Sequence, residues 1–102
     1  MQVPAEISAY YQAKRPLICE FGPQRCECQF WPFEELVRYN VEYEVPKYAP
    51  GYFGFGTDGG GEMYALASNG AVVNIPFIGM EPAAARLIAR SWRDFEGMLR
   101  AL

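Results

Sequence analysis

Three sets of residues in this chain have types and spacings that could do chemistry. Gly54, Gly56 and Gly59 fit G-x-G-x-x-G within "GYFGFGTDGGGEMYAL", Gly51 to Leu66. In a dinucleotide-binding turn such glycines open a helix whose N-terminus faces the pyrophosphate. Cys19, Cys26 and Cys28 could offer thiolates to a metal. Glu34-Glu35 and Glu42-x-Glu44 could act as paired catalytic carboxylates.

Each of these chemistries needs a partner that the sequence withholds. The segment after Gly61, "EMYAL", leads into the tight turn "SNG", so a strand rather than a helix follows the glycines. No Gly-Lys-Ser or Gly-Lys-Thr completes a Walker loop. The chain has no histidine, which removes Ser-His and Cys-His nucleophile pairs, His-ligated metals and the most frequent general base. Three thiolates without histidine lack an obvious fourth zinc ligand. Strand alternation instead makes the three cysteines small buried hydrophobes. A solvated helix face and the outward side of an extended segment account for the glutamates. The aromatic run Tyr48, Tyr52, Phe53 and Phe55 reads as core.

The glycine segment therefore fits a strand–loop–strand connection. Several of its residues, Gly59, Gly60 and Gly61 foremost, are expected to need positive φ or close backbone approach. Asp58 is expected to accept hydrogen bonds from the backbone N–H groups that follow it. Successive N–H groups there could still form an anion nest for a partner's carboxylate. No cofactor and no metal are expected.

The elements around the loop follow from periodicity and turn chemistry. Val3-Pro4 opens a short helix carrying Ile7, Tyr10 and Tyr11, and Pro16 stops it. "LICEFGPQRCECQF" reads as a hairpin with Phe21 opposite Cys26 and Cys19 opposite Cys28. "PFEELVRYN" reads as a helix from Pro32, with Phe33, Leu36 and Val37 on one stripe and Asn40 at its end. "VEYEVPKYAP" reads as irregular or edge-strand, running into a strand near Tyr52–Phe55. Glu62–Leu66 and "AVVNIPFIG" form the next two strands. Pro76 places the latter at an edge or at a bulge. A last helix, "SWRDFEGMLRAL", starts at the capping box Ser91 and Asp94, with Trp92, Phe95, Leu99 and Leu102 in one stripe. Strands mixed with helices, without regular β-α-β alternation, predict an α+β domain spanning residues 1–102. Its antiparallel sheet should carry helices packed on one face.

Bulk properties bound the function. Aromatic residues make up 16% of the chain, enough to stabilise a small core and to argue against disorder. A net charge of −3 disfavours nucleic-acid binding and suits a basic protein partner. No stretch approaches the roughly 20 apolar residues of a membrane span. The N-terminus lacks a basic region followed by an apolar run, and an odd number of cysteines does not suggest a disulfide framework. A cytoplasmic location is the expectation.

"FGTDGGGEMYAL" resembles the Gly-Asp-Gly-Gly-Gly motif of the SUKH superfamily of toxin-immunity and cell-wall-assembly-regulator proteins. There the motif also lies between two strands. "VPAEISAYYQAKRP" is similar to the family's early Leu-Pro-x-x-Tyr segment, and "FWPFEELVRYNVEYE" to its strand and "EEL" helix. "IPFIG" and "ARSWRDFEGML" are similar to its last strand and its Ser-Phe-x-x-Phe-Leu helix. Thr57 stands between Gly56 and Asp58, where the family has Gly-Asp adjacent or one residue between. The resemblance covers roughly residues 3 to 102. It implies a non-enzymatic module, an immunity protein that binds and neutralises a secreted nuclease- or deaminase-type toxin. A regulatory or scaffolding module of the same fold without a toxin is the alternative. The implied motif loop is Gly56, Asp58, Gly59, Gly60, Gly61 and Glu62. Glu34, Glu35, Glu42 and Glu44 are the candidates for steering a basic partner.

Overall fold

The computed structural model describes residues 1–102, and its backbone follows the sequence most closely where turn chemistry is strongest. β1 (Ile18–Phe21) and β2 (Cys26–Phe30) form the hairpin, with Phe21 opposite Cys26 and Cys19 opposite Cys28. β3 (Tyr52–Thr57), β4 (Glu62–Ala67) and β5 (Val72–Pro76) form an antiparallel meander. Asn69 and Gly70 turn β4 into β5. The Asn69 side chain accepts from the Ala71 N–H at 3.0 Å, and Gly70 has φ of 93°.

Two further strands, both unexpected, complete a seven-stranded sheet in the order β6-β5-β4-β3-β2-β1-β7. β6 is Arg86–Ala89, between the predicted strand "AVVNIPFIG" and the last helix, and it pairs with β5. β5 is therefore an inner strand, not an edge. Pro76 lies beyond the last β5–β6 pair, Asn74 with Arg86, so its missing N–H takes nothing from that ladder; the irregularity falls at Val72–Val73 instead. β7 is Arg100–Ala101, and it takes the open side of β1.

The helices also depart from their expected bounds. α1 (Ala5–Gln12) buries Ile7 and Tyr10 as its spacing predicts. The second helix begins with a tight turn at Phe33–Glu35 and becomes α2 at Leu36–Glu42. Asn40 does not end it but lies buried within it. α3 (Val45–Tyr48) is a single helical turn where an extended segment was expected, with Pro46 in its first turn. α4 (Trp92–Met98) is capped by Ser91, whose Oγ accepts from the Asp94 N–H at 3.1 Å. It stops before Leu99, so the predicted stripe ends at Phe95, and Leu102 is exposed.

Alternation along the strands sorts the core into two faces. Phe30, Phe55, Tyr64 and Phe21 pack with Trp92 and Phe95 of α4, and the Tyr10 ring of α1 stacks on Phe30 at 4.5 Å. Trp31 and Met63, each next in sequence to a member of that set, point the other way. Trp31 packs there against Tyr39 and Tyr43 of the α2 region and against Phe77. The helices are thus divided between the faces, where the sequence reading put them on one. β3 and β4 each bury four consecutive residues, as strands covered on both sides must.

Where β2 stops, α2 takes over the side of β3. The last β2–β3 pair is Phe30 with Gly56, followed by a hydrogen bond from the Trp31 N–H to the Phe55 carbonyl. Beyond it, Gly54 faces Asn40. The Asn40 amide donates to the Gly54 carbonyl at 2.8 Å and accepts from the Gly54 N–H at 2.7 Å. The second amide hydrogen reaches the Leu36 carbonyl at 2.8 Å. One side chain thus does for Gly54 what a strand residue would do.

Burial sets the pH behaviour of the core. It raises the pKa of the Cys28 thiol from its ordinary 9.0, aided by the nearby Cys19. It likewise raises the Tyr10, Tyr11 and Tyr64 hydroxyls from 10.0, and Cys19 adds to the effect at Tyr10. The folded chain therefore keeps protons that the unfolded chain loses. This stability is complete below the unfolded pKa values and declines as pH rises past them. Urea unfolding should show a flat midpoint from about pH 7 to 8, then a fall above about 9. The slope is at most ~1.4 kcal/mol per pH unit for each group. A midpoint unchanged up to about pH 11 would contradict this.

Candidate functional site

The β3–β4 loop is closed on itself. The Asp58 Oδ1 accepts from the N–H groups of Gly60 at 2.7 Å and Glu62 at 3.2 Å. The Gly59 N–H donates to the Thr57 Oγ1 at 3.2 Å, and the same hydroxyl donates to the Glu62 carbonyl at 2.9 Å. The Asp58 N–H also reaches the Glu62 carbonyl. Thr57 thus takes a share of the bracing. The Gly61 carbonyl accepts from the Phe77 N–H at 3.0 Å, which ties the loop to the end of β5.

This arrangement leaves little for an anion to bind. The donors of Gly59, Gly60 and Glu62 are turned onto Thr57 and Asp58, and β4 follows directly, with no helix N-terminus facing the loop. Glu62 looks away to Asn74 at 3.1 Å and Arg86 at 3.8 Å, joining β4, β5 and β6.

The glycine requirement is distributed differently from the sequence expectation. Gly59 has φ of 81°, but Gly60 and Gly61 are not in the left-handed region, and a Cβ on Gly61 would meet open space. The tightest backbone approach is instead at Gly56, whose Cβ would lie 2.5 Å from the Gln29 carbonyl oxygen.

The acidic candidates do not form one cluster. Glu35 and Glu42 both pair with Arg38, Glu42 at 2.7 Å, and the Glu35 hydrogen bond chiefly raises the guanidinium pKa. Glu34 and Glu44 are exposed and form no ion pair. Glu44 is one of three non-glycine residues with positive φ, at 56°. Glu42 and Glu44 stand beside a recess formed by Tyr43, Tyr48, Phe77 and Met80. In the sequence this recess is marked only by Glu-Tyr-Glu at 42–44, since Phe77 and Met80 are distant along the chain. Of the aromatic run read as core, Phe53 and Phe55 are buried, whereas Tyr48 is 45% exposed.

Among the cysteines, Cys19 and Cys28 are buried on facing strands, as alternation predicts. Cys26 is exposed, against that expectation, because it lies at the turn end of β2.

No protein-family model matches the chain, and no curated protein matches it.

Substitutions should rank by this geometry. Gly56→Val should cost roughly 2–4 kcal/mol, since a backbone carbonyl blocks the new side chain. Gly59→Ala should cost about 1–2 kcal/mol for its left-handed φ. Gly61→Ala should stay within about 0.5 kcal/mol. Denaturant melts in which Gly61→Ala loses as much as Gly56→Val would overturn the ranking.

Proposed function

We propose that the chain is a non-enzymatic protein-binding module of the SUKH type. It acts in the cytoplasm as an immunity protein that binds and neutralises a cognate bacterial toxin, a nuclease- or deaminase-type effector. The observation that carries this is the Thr57–Glu62 loop. It joins two neighbouring strands, the position that the family resemblance implies, and the N–H groups of Gly59, Gly60 and Glu62 are taken up by its own side chains. A loop built this way fixes the strand register and suits a scaffold better than a phosphate cradle.

The charge distribution supports a basic protein partner. The chain carries −3 overall, and Glu34 and Glu44 stand exposed without internal partners. Arg90 and Arg93, also exposed, belong to the C-terminal region. Effectors that act on nucleic acid present basic surfaces to it, and an acidic inhibitor finds such a surface by long-range attraction.

The test is growth rescue by co-expression with a candidate toxin from a neighbouring gene, followed by association kinetics of the purified pair. Rescue and a stable complex are expected. Glu34→Lys with Glu44→Lys should slow association several-fold at low salt, and the difference should shrink near 1 M salt, where the Debye length is ~3 Å. Reversing Arg90 and Arg93 should do less. A stable complex with a non-toxin protein and no rescue would point to the regulatory alternative. An association rate indifferent to both charge and salt would remove electrostatic steering.

A further inference from the structure

The recess beside α3 has walls and a mouth of contrasting chemistry. Its volume is about 330 Å³, at the small end of the roughly 300–1,000 Å³ typical of ligand sites. Tyr43, Tyr48 and Phe77 supply aromatic surface, Met80 lies within it, and Glu42 and Glu44 border it. The walls are held from behind. Tyr43 packs on Phe77 with ring centroids 4.7 Å apart, and both rings stack on the buried Trp31 at 5.8 and 6.4 Å. Arg38 holds Glu42 at 2.7 Å, while Glu44 has no ion pair.

Aromatic faces carry negative charge density and attract cations, most strongly where a carboxylate stands close by. The chain already uses one of these rings in this way, since the Lys47 ammonium lies 5.1 Å from the centre of the Tyr48 ring. A guanidinium suits the recess better than an ammonium. It is planar, weakly hydrated, stacks on rings and can donate to a carboxylate at the same time.

We propose that this recess receives an arginine side chain from the protein partner, with the guanidinium against Tyr43, Tyr48 and Phe77 and paired to Glu44. This rests on the reading of the partner as a basic protein and assigns the recess as one point of its contact. Glu44 is then a specificity residue, held in a left-handed conformation that glycine would adopt more readily.

The probe is acetyl-Gly-Arg-Gly-amide, titrated into the whole chain at low salt and followed by backbone amide NMR shifts. The controls are the neutral citrulline and the lysine analogues. Saturable shifts are expected at Tyr43, Glu44, Phe77 and Gly79, with the citrulline peptide binding about five- to ten-fold more weakly and the lysine peptide in between. Glu44→Gly should weaken the arginine peptide by a similar factor while leaving the thermal midpoint within a few degrees, because glycine accepts that φ. Lys47→Ala should strengthen binding by removing a like charge. Shifts that are absent, scattered elsewhere, or equal for arginine and citrulline overturn the proposal. Failure here is separable from failure of the functional reading. A toxin bound equally by the parent chain and by the Glu44→Gly, Phe77→Leu double variant sinks the recess and leaves the immunity reading standing. Arginine-selective shifts at the recess without growth rescue do the reverse.

Discussion

The sheet depends on a side chain standing in for a strand. β2 ends after Phe30, while β3 continues through Gly54 and would leave that residue's N–H and carbonyl facing an apolar interior. A buried unpaired donor or acceptor costs about 1–3 kcal/mol each, and both would be unpaired here. The amide of Asn40 has one acceptor and two donors in the arrangement needed. It satisfies both groups of Gly54 and spends its remaining donor on Leu36. Asn40 is fully buried and is the one polar residue in the core. A glycine at 54 complements it, since a Cβ there would strike the Met63 sulfur and approach Trp31.

Much else follows from that contact. Fixing Asn40 to β3 fixes α2, and α2 carries Arg38 with its two glutamates and Tyr39 against Trp31. Tyr43 and Glu44 come next, at the close of α2, so one side of the aromatic recess is positioned with the same helix. On the opposite face, α1 and α4 are held by stacked rings and by the Arg15–Glu96 ion pair at 3.1 Å. That exposed pair contributes at most about 1 kcal/mol, so ring burial must dominate. The Thr57–Glu62 loop then locks the far end of β3 to β4. The placement of α1, α2 and α4 on the sheet is a consequence of these three fastenings.

The sequence made local pairing legible and long-range pairing illegible. The β1–β2 hairpin could be registered residue by residue because turn length and alternation agree. The capping role of Ser91 and the Asp58 turn were visible for the same reason, since each bond closes within a few residues. β6 and β7 were missed because "RLIA" and "RA" do not alternate and gain their structure only from distant edges offered by β5 and β1. Asn40 reads as a helix end because asparagine favours such positions, while its partner in the fold, Gly54, is 14 residues away. Among the site residues, the brace at Thr57–Glu62 was partly readable. The recess was not, because Phe77 and Met80 reach Tyr43 and Tyr48 only through the fold.

The most direct measurement of the central contact is native-state hydrogen exchange at the Gly54 amide. Exchange there requires the bond to Asn40 to open, and no strand lies on that side to protect it otherwise. The account predicts that Gly54 is among the slowest amides, exchanging with the core residues of β4, such as Tyr64 and Ala65, only on global unfolding. A Gly54 amide that exchanges as fast as those of the exposed turn at Gly60 would contradict it.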